Sequence, residues 1–367
     1  MGSDNVIDPK VGVGSRRELR REDQDRDSRV KRLIVILLLL LLLLFAVGFA
    51  YLIFFGDAIQ KTLNPKDVQF EFSIYGFDRP LSVGTDENGL IYVSDTGNDR
   101  VLVFEKNGDY LRRIGSDKRR ERFYGALGTV SEDNTVYIAD WKLRKIKIFS
   151  DEGKYKKQFP EDSFDEQFGA DGFSPYGMAS YKDKLYITSN DGIYIFSKKG
   201  KFIEKWGSKG KDIDQYDYPI GIAVDQKDGS VYVADQLNRR VKALDSKGNV
   251  RWMVGSPDTG GKIASFFGLP RGLAINNEGQ IYISDTFHNE LYVLSKEGEL
   301  LGVVGERGLD DGQMNFPEGL TFAPDGAMYI ADRENDRIQV IRVNELPKPT
   351  EDHENKYEKF FTEASSK

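Results

Sequence analysis

The 367-residue sequence contains no cysteine and only two histidines, His288 and His353. The first absence excludes disulfides, thiolate metal sites and a cysteine nucleophile. The second leaves a histidine-rich metal centre or a histidine base few places to be. Positive charge is also in short supply: the formal net charge is -7, so there is no global basic field to attract nucleic acid. Apolar stripes of helical period are missing from the long region after residue 68, where short alternating runs such as Leu90 to Val93 and Val101 to Phe104 predict half-buried strands instead. No nucleophile, base and orienting group assemble from the sequence, so no catalytic residue is predicted.

What is present begins with an uncharged apolar run of 23 residues, Leu33 to Phe55. As a helix it would cover roughly 34 Å, enough for a bilayer core. Arg16, Arg17, Arg20, Arg21, Arg26, Arg29, Lys31 and Arg32 precede it, whereas only Lys61 and Lys66 follow closely. That asymmetry predicts a single crossing with a cytoplasmic N-terminus. Small residues at Gly48 and Ala50 offer a cleavage site, but the run continues past them to Phe55, which fits an uncleaved anchor better. Residues 1–32, with interleaved acids and bases, read as a disordered tail and 56–68 as a short linker.

From residue 69 the sequence repeats. Segments RPLSV, GALGTV, SPYGMA, YPIGIA, LPRGLA and FPEGLT each lead to a strand carrying Tyr92, Tyr137, Tyr186, Tyr232, Tyr282 or Tyr329, at spacings of 45, 49, 46, 50 and 47 residues. Turn signals such as Asn88-Gly89, Asp325-Gly326 and Asn107-Gly108 divide each unit into four antiparallel strands. One such sheet exposes both faces and an edge, so the units must stack into a closed ring. The sixth unit ends after three strands, at Val343, while an orphan strand, Gln69 to Gly76, precedes the first unit. The orphan is expected to close the last blade.

The phrase GERGLDDGQMNFPEGLTFAPDGAMYIADRENDRIQVI and its weaker copies, such as YVSDTGNDRVLVFEKNG, resemble the NHL repeat, with its Pro-x-Gly opening, Tyr-x-x-Asp strand and Asn-x-Arg turn. The resemblance covers Gln69 to Val343. It implies an all-β fold, a six-bladed β-propeller with four-stranded antiparallel blades, here preceded by one transmembrane α-helix. It also implies use as a sensor or interaction domain. The third unit departs most, with Ser189 in place of the Asp and a shortened turn at Asn190-Asp191-Gly192. Residues 344–367 read as a charged, mobile tail, with Tyr357, Phe360 and Phe361 as a short docking element.

Asp95, Asp140, Asp235, Asp285 and Asp332 recur at one blade position, with Arg100, Lys145, Arg240 and Arg337 five residues on. Groups that recur in nearly every blade serve turns and local pairs, so these are assigned a structural role and no metal. Function is expected where the units differ. The residue at the centre of each opening, Pro-x-Gly in the last four units, forms a six-position ring: Leu81, Leu127, Tyr176, Ile220, Arg271 and Glu318. Tyr176, Arg271 and Glu318 are the candidate polar cluster there, and Arg271 and Glu318 on neighbouring blades are placed to pair. Trp141 and Phe287, in turns after the repeated Asp, are candidates for a partner surface.

These observations favour a non-catalytic, membrane-anchored extracytoplasmic scaffold that recognises a protein, peptide or glycan through its membrane-distal face. No cofactor is predicted. The alternative is a metal-dependent lactonase-like hydrolase or lyase acting in the axial channel, with Ca2+ held by oxygen ligands such as Glu318. Separately, the acidic, aromatic loops from Glu161 and Gly207 are read as solvated loops able to dock a basic partner or bind Ca2+ loosely. No cysteine and no Asn-x-Ser/Thr acceptor in the large domain point to a bacterial plasma membrane and an envelope partner.

Overall fold

The computed structural model describes residues 12–13, 67–161, 164, 172–255 and 265–363. The expected span Leu33 to Phe55 lies outside the described residues, as does the linker up to residue 66. Among the described residues, no helix is long and apolar enough to cross a membrane.

Six antiparallel sheets follow one another around a central axis. The first blade comprises Ser82–Thr85, Ile91–Asp95, Arg100–Phe104 and Tyr110–Ile114, counted from the axis outward. Blades two to five repeat that order from inner strands Ala126–Glu132, Met178–Tyr181, Pro219–Val224 and Pro270–Ile275. The sixth is composite: Pro317–Phe322, Met328–Asp332 and Arg337–Val343 are joined by Val68–Tyr75 as outer strand, Val68 opposite Val343 and Tyr75 opposite Arg337. Both ends of the repeat region thus share one sheet, which removes the open edge of the ring.

Each blade interface has its own apolar core. Tyr92, Val101, Phe123, Ile138 and Phe149 fill the first-to-second interface, and Ile74, Val83, Ile91, Tyr329 and Val340 fill the sixth-to-first. The second strand of every blade ends in an unbroken run of buried residues, as in Ile91–Asp95 and Met328–Asp332. Alternation alone predicts half-burial; stacking covers both faces of these strands, and alternation survives only at the outer strands, such as Tyr110–Ile114.

Two blades carry a fifth strand. Gly12–Val13 pairs with Tyr75 and Ile74 at the edge of the sixth blade, and Phe361–Glu363 pairs with Val254, Met253 and Trp252 at the edge of the fourth. The second addition corrects the expectation of a mobile C-terminal tail. Helix α1, Glu351–Glu358, is capped by the Thr350 side chain, and Tyr357 is buried against Phe266 in the core between blades four and five. The aromatic residues that gave this segment the look of a docking element dock within the protein itself.

Candidate functional site at the upper face and axial channel

The loops joining each outer strand to the next inner strand, and the turns after the repeated Asp, share one face, here called upper. Val68 begins its strand at the opposite, lower face, beside Val343.

The upper turns are built around the repeated Asp. Asp332 accepts hydrogen bonds from Asn315 N at 2.6 Å, Asn335 Nδ2 at 2.7 Å and Arg337 Nε at 2.7 Å. Asp95 and Asp235 repeat this set with Asp78 N, Asn98 and Arg100, and with Asp217 N, Asn238 and Arg240. Asp140 holds Tyr124 N and Leu143 N, and Asp285 holds Gly268 N and Leu269 N. Burial pushes the carboxyls of Asp95, Asp140 and Asp332 up, against the hydrogen bonds that pull them down. Every one of these groups clamps an upper loop, which is the chemistry of a turn and not of a metal site. In the third blade Ser189 Oγ does the same work, accepting from Ser174 N at 2.7 Å, so the missing Asp leaves no gap.

The fifth blade departs in another way. Glu290 stands where other blades place Arg or Lys, and His288 stands at the Asn position, its Nδ1 3.0 Å from Asp285 Oδ2. That hydrogen bond holds the imidazole above its usual pKa, with burial opposing. Its second neighbour is the Tyr292 hydroxyl at 3.1 Å, which donates to Glu290 at 3.0 Å.

The acidic loop from Gly207 is occupied by an internal cation. Arg240 donates to the carbonyls of Lys211, Asp212 and Gln215, and Arg337 donates likewise to Asp310 and Gln313 in the matching loop of the sixth blade. Guanidinium groups therefore take up main-chain carbonyl oxygens of both loops. Among the described residues, no three His, Asp or Glu side chains are grouped to hold a metal ion.

The inner strands line an axial channel of about 420 Å³ whose wall includes all six ring residues, Leu81, Leu127, Tyr176, Ile220, Arg271 and Glu318. A glycine follows five of the six ring residues, Ser82 following Leu81, and lets neighbouring blades meet at backbone distance. At Gly221 a Cβ would overlap the Arg271 carbonyl oxygen of the next blade. Side-chain hydroxyls tie the ring together: Ser94, Thr188 and Ser284 donate to the carbonyls of Leu127, Ile220 and Glu318 at 2.5, 2.7 and 2.5 Å.

Glu318 is 2 % exposed and bridges two guanidinium groups, Arg271 Nη1 at 3.1 Å and Arg333 Nη1 at 3.0 Å. Burial raises its pKa, against the pull of both arginines. With each oxygen facing a fixed positive charge, this carboxylate does not fit a Ca2+ ligand. Arg333 was not among the sequence candidates; its position directly after the repeated Asp, where Trp141 also falls, was the available signal. Tyr176 does not join the cluster. Its hydroxyl donates to Asn190 Oδ1, and its ring lies 6.1 Å from that of Tyr218.

Exposed apolar side chains gather on the upper face, among charged ones. Among the described residues, nine large apolar side chains are exposed, and seven of them, Tyr124, Trp141, Ile213, Tyr218, Leu237, Phe287 and Leu309, lie on upper loops or turns. The remaining two, Leu111 and Ile203, sit on outer strands. Trp141 and Phe287, on the second and fifth blades, are 36 % and 52 % exposed and so belong to one face without touching. Tyr218 and Phe316 precede prolines and have left-handed backbone, φ 51° and 57°, a conformation disfavoured for bulky pre-proline residues.

Fold and site together define a six-bladed β-propeller whose blades are NHL-like units. A family model for the NHL repeat matches residues 77–104, and one described as a 6-bladed beta-propeller matches residues 174–247. The protein is 28 % identical over 263 residues to NHL repeat-containing protein 3 of Mus musculus, and 29 % identical to its Homo sapiens counterpart, in each case over 69 % of its own length. The matched region spans 62 % of those relatives' length. NHL repeat-containing protein 2 of Gallus gallus is 24 % identical over 71 % of the present sequence and 46 % of its own. Among solved structures, virginiamycin B lyase from Staphylococcus aureus superposes with a TM-score of 0.52 at 12 % identity, over 75 % of the present sequence and 99 % of its own. Hydrazine synthase of Kuenenia stuttgartiensis gives a TM-score of 0.52 at 13 % identity, over 73 % and 96 %. At such identity these two structures establish the fold alone.

Proposed function

We propose that this propeller is a non-catalytic binding module that docks a protein partner on its upper face. The observation that carries the reading is the gathering of exposed apolar side chains on that face, with Tyr, Trp and Phe prominent, as at protein interfaces. The resemblance to NHL repeat-containing proteins supports it. The channel argues against the hydrolase or lyase alternative, because the one carboxylate among its described lining residues is neutralised by two arginines.

Residues 33–55 are proposed to anchor the module to a membrane, with the propeller outside. Val68 enters at the lower face, so the apolar upper face would point away from the bilayer. A single crossing puts residue 12 and residue 75 on opposite sides, so the anchored form requires Gly12–Val13 to be released from Tyr75. Absence of native cysteine makes topology easy to test. In intact cells an impermeant maleimide should label the Lys118→Cys variant and spare Ser3→Cys; labelling of Ser3→Cys would defeat the proposed orientation.

The docking reading is tested by replacing Trp141, Leu237 and Phe287 together with Glu. The variant should melt like the wild type and lose its co-purifying partner. Retention of the partner would remove the upper face from the account.

A further inference from the structure

The docking reading leaves the channel unused. Its wall is mixed: Leu81, Leu127 and Ile220 supply apolar side chains in the ring, and Arg271 and Glu318 supply its charge. Glu318 is fully committed, one oxygen to each arginine. Arg333 is divided between Glu318 and the solvent-side Glu334, to which its Nε donates at 2.9 Å. Arg271 is different: Nη1 holds Glu318, its Nε is enclosed, and the 21 % of the side chain that stays exposed lies on the channel wall. The guanidinium fork is shaped to engage planar carboxylates.

We propose that the channel mouth binds a peptide carboxylate, either the C-terminus or an Asp/Glu side chain of the partner, with Arg271 as its charged anchor and Leu81, Leu127 and Ile220 receiving the adjoining apolar atoms. The proposal rests on the protein-docking reading and names the chemistry the partner brings to the centre of the interface. A phosphate is the poorer match, because a dianion beside Glu318 would meet more repulsion than a single carboxylate.

The test is calorimetric titration of the full-length protein with N-acetyl-Gly-Phe and with its C-terminal amide. The acid should bind at least about tenfold more tightly than the amide, the step expected from one charge-assisted contact. Arg271→Gln should abolish that preference, and Arg271→Lys, which keeps charge but not the fork, should leave part of it and guards against a folding failure. Equal binding of acid and amide, no binding of either at millimolar concentration, or an unchanged preference in Arg271→Gln would each overturn the proposal, as would tighter binding of inorganic phosphate than of the acid. If the proposal fails while the Trp141/Leu237/Phe287 variant still loses its partner, docking stands and only the carboxylate anchor falls.

Discussion

At the scale of single residues, the repeated aspartates show why a recurring carboxylate need not be a site. Asp332 and Arg337 are both fully buried and hold one upper loop between them. Asp332→Ala would strand the guanidinium in the interior, so unfolding should become easier by about 3–5 kcal/mol, as when one partner of a buried ion pair is removed. Urea denaturation measures this directly. His288 gives a pH-dependent counterpart. Its pKa is raised by Asp285, so its contribution to stability is fully present below the ordinary value of 6.5 and is lost as pH rises through the folded value. Melting temperature in wild type should therefore fall relative to His288→Asn as pH rises from 6 to 9. Parallel curves for the two proteins would place the linkage elsewhere.

The same residues mark how far the sequence could be read. The structural role of the aspartates was legible because a group present in five blades cannot be the feature that makes one blade special. The Arg271–Glu318 pair was legible because openings of adjacent blades put ring positions side by side. Arg333 and the Tyr176–Asn190 bond were not, because each joins an inner-strand opening to a turn whose distance from the channel depends on sheet twist and loop path.

At the scale of elements, the C-terminal segment changes how the rim is understood. Charged residues in Glu351–Glu358 suggested solvent, yet only one face of α1 needs apolar contact, and Tyr357 supplies it. The following strand covers the outer edge of the fourth blade, where a bare row of amides would otherwise invite aggregation. Tyr357→Ala should cost about 3 kcal/mol, comparable to removal of a large buried aromatic. It should also loosen Phe361 from Trp252, whose ring lies 6.4 Å away, giving a red shift in tryptophan emission. An unchanged spectrum and melting temperature would show that the segment contributes no packing.

At the scale of the whole molecule, closure and polarity are the consequential features. Closure was read from strand counting: a three-strand unit at one end and a spare strand at the other can satisfy each other only in one sheet. Deleting residues 67–76 should therefore abolish cooperative unfolding of the entire ring, not of the sixth blade alone. A cooperative transition at near-native temperature would refute this. Polarity follows from the same path, since the polypeptide enters below and the exposed apolar side chains gather above. The apolar character of that face was only partly visible beforehand. Trp141 and Phe287 stood out as departures from the repeat, whereas Tyr124, Leu237 and Leu309 looked like ordinary loop residues until the fold placed them together.

The central claim is that partners meet the upper face. Its most direct test is a photo-crosslinking amino acid placed at Phe287 on that face or at Asn107 on the lower one, each expressed in otherwise unaltered protein. The account predicts a specific crosslinked partner from position 287 and none from position 107. A partner captured from position 107 alone would contradict it.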